Sequence, residues 1–349
     1  MAQPEPVLAV DALVVRFPTA DGVVEAVRGV SWSVGPGQVL GIVGESGAGK
    51  SVSALAVMGL LPDPAVVSGS ARLRGAELVG MAPRVLNRYR GERLAMIFQD
   101  PMSSLNPVRT VGWQLAEAVR VHHEVSRRDA RSRAVELLEL VGIPNPRQRA
   151  RGYPHELSGG MRQRVVIAMA MANDPEVIIA DEPTTALDVT VQAQILETLH
   201  RAREATGAAM VLITHDLGVV AGVADEVIVM YAGRVVERGG VDEVFYRPRM
   251  PYTQALLGSL PRVGPDGSGR SVPIPGAPPS LIDLPPGCPF APRCSFARAD
   301  CGDEPVLRLV EPPRHQVACH FSEQVASAWG GSGEPAARAV NGEVSGGRS

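Results

Sequence analysis

The sequence predicts an α/β fold built on a doubly wound parallel sheet. Two continuous apolar runs, 177–180 and 210–213, are typical of parallel strands buried on both faces. The segment between them has apolar residues at helical spacing, namely Val191, Ile195, Leu199 and Ala202. A strand, helix, strand order at this spacing indicates a parallel sheet that binds its ligand at the carboxyl ends of the strands.

The bulk composition limits the class of protein. The 349 residues are 45% hydrophobic, which is enough for one large core and a smaller second one. The formal net charge of -3 argues against nucleic-acid binding, because duplex binders usually carry a basic excess. The N-terminus has no basic region typical of a secretory signal, and no apolar run approaches the roughly 20 residues of a membrane-spanning helix. We therefore expect a soluble, cytosolic chain that binds no nucleic acid.

The first three quarters of the chain are predicted to form one domain, residues 1–262. Residues 7–60 alternate short apolar runs with Gly/Pro turns, and the strand-like run 39–43 leads directly into a glycine loop and a helix-forming stretch. Residues 83–172 are richer in Arg, Glu, Ala and Leu at helical spacing. Within them, 131–141 places Ala134, Leu137, Leu138 and Val141 on one helix face. This pattern predicts a helical subdomain at about 83–172, inserted into the α/β domain.

The rest of the chain has a different composition. After about residue 262 it becomes rich in Pro and Gly, which predicts a linker into a C-terminal extension at 263–325. All the cysteines lie in this extension, at Cys288, Cys294, Cys301 and Cys319. In a cytosolic chain such a cluster is more typical of a metal site than of disulfides. Residues 326–349 are Gly/Ser-rich, and we predict that they are disordered.

The first chemical motif follows the strand-like run at 39–43. It is Gly44-Glu45-Ser46-Gly47-Ala48-Gly49-Lys50-Ser51, which matches G-x-x-x-x-G-K-[ST]. The glycines let backbone N–H groups converge on phosphate, Lys50 is expected to reach the β- and γ-phosphates, and Ser51 to ligate Mg²⁺. Lys50 is also the only lysine among 34 basic residues, in a chain whose coding bias favours arginine. By itself the motif indicates only a P-loop NTPase.

The second motif is an acidic pair at the end of the apolar run 177–180. Asp181 would hold the Mg²⁺ shell, and Glu182 could polarise an attacking water as a general base. An acidic pair after a strand is equally often part of a solvated turn, so the catalytic interpretation of this pair depends on the other motifs.

The third motif is the string from Leu157 to Gln163. Ser158, Gly159 and Gly160 precede a helix-like run at 161–172, which would make a second anion-binding helix N-terminus. A single site does not need two such termini, whereas two chains facing head-to-tail would each close the other's nucleotide. The simpler interpretation, a serine N-cap, accounts for less of the string.

With these motifs the sequence resembles the ABC transporter ATPases over roughly residues 7–260. Gln99 matches the family's Q-loop glutamine, which links Mg²⁺ and the γ-phosphate to the helical subdomain, and His215 matches its switch histidine. Asp188 matches the D-loop, and Phe17 is the nearest candidate to stack on adenine, although a core phenylalanine is about as good an interpretation. Because all six family motifs carry their usual residues, the resemblance implies a subunit that binds and hydrolyses ATP. It also implies an ABC cassette with a RecA-like sheet core, an antiparallel β subdomain and a helical subdomain.

Further stretches resemble the oligopeptide/dipeptide importer ATPases. They are 100–107, 246–257 and the cysteine-bearing tail from Pro275 to His320. The resemblance implies import of peptides across the cell membrane by a peripheral subunit on its cytoplasmic side. The implied partners are two transmembrane permease subunits, a second ATP-binding subunit, identical or different, and an extracytoplasmic peptide-binding protein.

Several alternatives stay open at this level. The C-x5-C-x6-C-x17-C spacing lacks the close pairs of structural zinc sites, so we place a [4Fe–4S] cluster slightly ahead of zinc and of free thiols. An importer for nickel or another small solute would share much of the sequence. A non-transport ABC ATPase of DNA repair or translation would carry long insertions or a second cassette. A P-loop kinase would leave 157–163 unexplained.

Overall fold

The computed structural model describes residues 5–185, 188–260 and 272–329. In this part of the chain the strands are β1 (Leu8–Thr19), β2 (Gly22–Val34), β3 (Val39–Val43), β4 (Val66–Leu73), β5 (Ala76–Glu77), β6 (Leu94–Ile97), β7 (Val177–Asp181), β8 (Ala209–Thr214), β9 (Glu226–Tyr231), β10 (Arg234–Gly240), β11 (Arg308–Glu311) and β12 (His315–Val317). The α-helices are α1 (Lys50–Val57), α2 (Pro83–Tyr89), α3 (Pro101–Ser104), α4 (Val111–Arg120), α5 (Arg127–Leu140), α6 (Pro146–Arg149), α7 (Gly159–Ala170), α8 (Val189–Thr206), α9 (Leu217–Val223), α10 (Val241–Tyr246), α11 (Pro251–Gly258) and α12 (Ser322–Trp329). Short 3-10 helices occupy Pro154–Glu156, Ala291–Arg293 and Ala299–Gly302.

The larger sheet confirms the predicted α/β fold. Its strand order is β11-β12-β10-β9-β3-β8-β7-β6, and the five strands from β9 to β6 are parallel. Strands β3, β7 and β8 are buried at every residue, which explains their unbroken apolar runs. The helix predicted between the two apolar runs is α8, whose Ile195, Leu199 and Ala202 are buried. The carboxyl ends of β3, β7 and β8 therefore lie together at one edge.

An antiparallel sheet of order β2-β1-β4-β5 packs on one face of the larger sheet. The two sheets share a core in which Leu13 and Trp32 pack with Ile42 and Ile179. Helix α1 contributes Ala54 to the same core, so the helix that follows the glycine loop is held between the sheets.

Helices α4, α5 and α7 pack together as the helical subdomain. Helix α5 begins after Ser126, whose side chain accepts a hydrogen bond from the Asp129 N–H, and its buried residues include the predicted Ala134, Leu137 and Leu138. The predicted subdomain range 83–172 also contains a strand, because β6 pairs in parallel with β7 at the edge of the larger sheet. Its run Leu-Ala-Met-Ile is fully buried but only four residues long, too short to give a strand signal within helical sequence.

The C-terminal extension continues the larger sheet instead of forming a separate body. Strand β12 pairs antiparallel with β10, and β11 pairs with β12 at the sheet edge. Helix α12 runs to Trp329, four residues into the range 326–349 that we predicted to be disordered. Residues 330–349, and 261–271 with the first part of the predicted linker, lie outside the described residues. Among the described helices, none combines the length and hydrophobicity that crossing a membrane requires.

A buried hydrogen bond joins the extension to the sheet. The carboxylate of Glu237 on β10 lies 2.9 Å from His315 Nε2 on β12, and both side chains are completely buried. The same carboxylate accepts hydrogen bonds from the N–H groups of Arg249 and Met250, at 2.7 and 3.3 Å. Glu237 thus satisfies three donors from two segments that meet on β10.

We expect Glu237→Leu to lower the free energy of unfolding by about 3 kcal/mol, because three buried donors lose their acceptor. Urea unfolding followed by circular dichroism measures the change, and faster hydrogen exchange in β12 would locate it. The control Glu197→Leu removes a carboxylate from an exposed helical ion pair with Arg201, where a loss of at most about 1 kcal/mol is expected. Equal effects of the two substitutions would contradict the role of Glu237.

Candidate functional site

The glycine loop lies between β3 and α1, as the motif predicts. Gly44, Gly47 and Gly49 have φ angles of 151°, 81° and 96°, which disfavour any residue with a side chain. A Cβ at Gly44 would collide with the Met230 carbonyl oxygen, and one at Gly49 with the Ala26 carbonyl oxygen. The loop is therefore packed so closely against neighbouring backbone that glycine is required on steric grounds as well.

Lys50 is the first residue of α1, and its side chain turns back over the loop. Its Nζ donates hydrogen bonds to the carbonyl oxygens of Gly44 at 2.8 Å and Glu45 at 3.0 Å. Burial lowers the pKa of this ammonium, and the nearby carboxylates of Glu182, Asp181 and Glu45 oppose that effect. The ammonium is thus a buried positive charge at the mouth of the loop, available to an anionic ligand.

Ser51 and Asp181 form the next layer of the site. The Ser51 hydroxyl donates to Asp181 Oδ1 at 2.8 Å, and Asp181 lies behind Ser51, at the end of β7. Burial raises the pKa of Asp181, while the bond from Ser51 and the charge of Lys50 act in the opposite direction. A hydroxyl and a carboxylate are hard oxygen donors, so this pair fits Mg²⁺.

Glu182 is the centre of a polar group at the strand ends. Its Oε2 accepts hydrogen bonds from Gln99 Nε2 at 3.1 Å and Thr185 Oγ1 at 2.8 Å, and lies 3.3 Å from His215 Nδ1. Its backbone has a φ of 46°, a left-handed conformation that costs about 1–3 kcal/mol in a residue other than glycine. The Glu182 N–H donates to the Ile213 carbonyl at 2.8 Å, which holds this strained conformation.

One cavity of about 990 Å³ brings these groups together. It is lined by the glycine loop, Lys50, Ser51, Gln99, Glu182 and His215, and also by Phe17. Thr185 lines it too and was not predicted, because an isolated threonine has no distinctive sequence pattern. Five residues of the C-terminal extension also line it: Pro273, Ile274, Gly276, Leu281 and Arg293. Nothing in the local sequence connects them with a loop more than 200 residues away.

Ser158, Gly159, Gly160 and Asp188 do not line this cavity. Ser158 caps α7, because its hydroxyl oxygen accepts a hydrogen bond from the Met161 N–H at 3.4 Å. Asp188 caps α8 in the same way, since its carboxylate accepts from the Val191 N–H at 3.0 Å. Gly160 permits close packing of these two helices, since a Cβ there would lie 2.7 Å from Val191 Cγ1. The third motif is therefore a capped helix N-terminus that stands apart from the glycine loop of its own chain.

The four cysteines line one small cavity of about 20 Å³, and none forms a disulfide. Burial raises the pKa of Cys288 and Cys294, and raises that of Cys319 to about 11. Burial thus favours the protonated thiol at Cys288, Cys294 and Cys319. In the described part of the chain no group of three or more His, Cys, Asp or Glu side chains is arranged to hold a metal ion. The structure brings the four cysteines to one cavity, but their side chains are not arranged to hold the predicted iron–sulfur cluster.

Comparison with known proteins agrees with this geometry. Residues 27–185 match the family model described as ABC transporter, and residues 236–301 match that of the oligopeptide/dipeptide transporter C-terminal region. A solved relative described as a dimeric post-hydrolysis state of the ATP-binding cassette MJ0796, bound to ADP and Pi, has a TM-score of 0.60. It is 25% identical and covers 67% of this chain and 98% of its own.

Curated relatives resemble the chain over most of its length. The oligopeptide transport ATP-binding protein OppD of Mycobacterium tuberculosis is 58% identical over 92% of this chain, but only 52% of that protein is covered. The chain thus spans about half the length of this relative. OppD of Haemophilus influenzae is 50% identical, with 86% of this chain and 93% of its own length covered. The dipeptide transport ATP-binding protein DppD of Bacillus subtilis is 48% identical, with 92% and 96% covered.

The similarity extends through both the cassette and the cysteine-bearing region, at an identity far above that needed to share a fold. The chain therefore belongs to the ABC transporter family, among the ATP-binding proteins of oligopeptide and dipeptide transporters.

Proposed function

We propose that this chain binds and hydrolyses ATP to energise the import of dipeptides or oligopeptides across the cell membrane. The observation that carries the proposal is the convergence of Lys50, Ser51, Gln99, Glu182 and His215 on one cavity at the ends of four parallel strands. The second family model and the names of the relatives support peptides as the cargo. We further propose that it acts as a peripheral subunit on the cytoplasmic side. Its partners there are two permease subunits and a second ATP-binding subunit, with an extracytoplasmic peptide-binding protein delivering the substrate.

The phosphate-binding role follows from charge and backbone geometry. The loop 44–49 and the N-terminus of α1 direct N–H groups toward an anion, and Lys50, held over the carbonyl oxygens of Gly44 and Glu45, adds a positive charge for the phosphates. Ser51 and Gln99 line the cavity as Mg²⁺ ligands, and Asp181 orients the Ser51 hydroxyl from behind. When bound, Mg²⁺ neutralises negative charge on the phosphates. Phe17, which also lines the cavity, offers an aromatic face for the base.

Glu182 is the proposed general base. Two donated hydrogen bonds and the nearby His215 ring surround its Oε2, so the carboxylate is held in one orientation toward the cavity. From there it accepts a proton from an attacking water, while Gln99 and His215 position the water and the γ-phosphate. His215 is 60% exposed in this chain, which leaves it free to move onto a phosphate oxygen.

A second chain is proposed to complete the site. Ser158, Gly159 and Gly160 form an N-terminal anion site on the 12-residue helix α7, yet they lie outside the cavity of their own chain. A head-to-tail arrangement would bring this helix N-terminus, together with Asp188, onto the nucleotide of the partner. The relative described as dimeric with ADP and Pi supports this arrangement.

We expect Glu182→Gln to leave ATP affinity unchanged and to reduce phosphate release by at least about 100-fold, since the amide cannot accept the proton. ATP binding is measured by titration calorimetry, and phosphate release on the assembled transporter. The control is Glu197→Gln, an exposed carboxylate on α8 outside the cavity. Retained hydrolysis in Glu182→Gln would remove Glu182 as the base.

We expect Ser158→Arg to leave ATP binding by the isolated chain intact and to abolish hydrolysis by the assembled pair of ATP-binding subunits. Lys50→Ala is expected to abolish binding in the isolated chain itself, because the phosphate charge is then unopposed. Ser126→Ala, which removes the cap of α5 in the helical subdomain, serves as the control. Hydrolysis at full rate by an isolated monomer would contradict the shared site.

For the four cysteines we propose a [4Fe–4S] cluster, whose binding would require the thiol side chains to rearrange. What supports it is that all four thiols line the same cavity. Anaerobic purification, followed by iron analysis and a visible spectrum, is expected to give about four irons and a brown protein. A colourless preparation without iron, in which four thiols react with a thiol reagent after unfolding, would contradict the cluster. Bound zinc in place of iron would contradict it too and would identify a zinc site.

A further inference from the structure

The C-terminal extension reaches the phosphate-binding loop directly. The guanidinium of Arg293, just before Cys294, makes a two-pronged ion pair with the carboxylate of Glu45, with N–O distances of 2.7 and 2.9 Å. The two residues are 248 positions apart in the chain. Glu45 is the second residue of the glycine loop, so the ion pair lies within the proposed nucleotide site.

Arg293 is held in a fixed orientation. Its side chain is only 5% exposed, its Nε donates to the Pro275 carbonyl at 2.8 Å, and its Nη1 donates to the Tyr231 hydroxyl at 3.2 Å. A planar guanidinium with partners on every side cannot swing away without leaving buried donors unsatisfied. The arginine is therefore a rigid support for Glu45.

Glu45 transmits this support to Lys50. Its N–H donates to the Tyr252 hydroxyl at 2.7 Å, and its carbonyl accepts from Lys50 Nζ at 3.0 Å. The backbone of Glu45 is thus fixed on both sides, and its side chain is fixed by Arg293. The conformation of the loop at its second residue depends on groups outside the loop.

The ion pair also has an electrostatic consequence. Glu45 places a carboxylate in a loop whose proposed ligand is a polyanion, and like charges at this range disfavour binding. Arg293 balances that charge at hydrogen-bonding distance in a partly buried setting, where charges are poorly screened.

The extension touches the same cavity at a second place. Ile274 and Leu281 line it, and Ile282 packs against the β1–β2 turn, where a Cβ on Gly22 would lie 3.3 Å from Ile282 Cγ2. This turn ends the strand that carries Phe17. The extension therefore lines the cavity and also packs against the turn that follows the strand of Phe17.

An ion pair that merely anchors the extension is available for comparison. Arg28 on β2 pairs with Glu304 through two contacts of 3.0 and 2.9 Å, and Arg234 on β10 lies 3.2 Å from the same carboxylate. None of these three side chains lines the nucleotide cavity. If both ion pairs only anchored the extension, loss of the Arg293–Glu45 pair and loss of the Arg28–Glu304 pair would change ATP affinity equally.

We propose that Arg293 is a positioning residue for ATP binding. By neutralising the Glu45 carboxylate and fixing its side chain, it makes the C-terminal extension part of the nucleotide site. The proposal rests on the proposed function in taking ATP as the ligand. It predicts that an unpaired Glu45 carboxylate, and not the loss of the arginine as such, weakens binding.

The test compares four forms of the full chain by titration calorimetry with ATP and Mg²⁺. Arg293→Met is expected to weaken ATP affinity about tenfold or more, because Glu45 then faces the phosphates uncompensated. Glu45→Gln combined with Arg293→Met is expected to restore affinity to within about threefold of the original chain, since the anchor is still lost but the charge is gone. The control Glu304→Gln is expected to leave affinity unchanged.

Hydrogen exchange without nucleotide supplies a second readout. Amides of 44–50 are expected to exchange faster in Arg293→Met than in Glu304→Gln, because only the first substitution releases Glu45. If the double variant binds ATP as weakly as Arg293→Met, or if Glu304→Gln weakens binding equally, the arginine is only an anchor and the proposal fails. If the unaltered chain binds no ATP while the exchange difference persists, the proposed function fails and the link between extension and loop stands.

Discussion

The parallel pairing of β3 with β8, and of β8 with β7, is the constraint on which the site depends. It sets Val43 beside Thr214 and Asp181 beside Ile213, so three strands end at the same level. The residues that follow each strand then meet within one cavity, although they come from distant parts of the sequence. A shift of one residue in either pairing would turn every side chain on that strand to the opposite face and disperse the group.

The cavity combines features that reduce stability when nothing is bound. Lys50 and Asp181 are buried charges, and Glu182 has a left-handed backbone. These unfavourable free energies are tolerated because the opposite charges attract each other and because a bound ligand stabilises the folded chain. Burial lowers the pKa of Lys50 and raises that of Asp181, while the attraction between the two charges opposes both shifts. The site is thus preorganised for a ligand that carries both an anion and a cation.

The C-terminal extension is joined to the cassette by contacts of several kinds. Strand β12 extends the sheet from β10, the pair of Glu237 and His315 is buried at that junction, and Arg293 crosses to the glycine loop. The cysteine cavity lies next to this path, because Cys294 directly follows Arg293 and Cys288 opens the turn that leads to it. This layout explains physically how a region without nucleotide motifs can affect the nucleotide site.

Sequence patterns were sufficient to predict those parts of this protein that depend on neighbouring residues. The glycine spacing at 44–50, the buried runs of β7 and β8 and the helical faces of α5 and α8 each depend on a few neighbouring residues, so patterns alone located them. The short strand β6, the helix at 326–329 and the role of Thr185 carry too little local signal. Three features became visible only in the folded chain. Arg293 contacts Glu45, the four cysteines line one cavity, and Ser158 lies outside the cavity formed by the glycine loop of the same chain. These depend on how distant segments pack, and side-chain spacing along one segment holds no information about a partner 248 residues away.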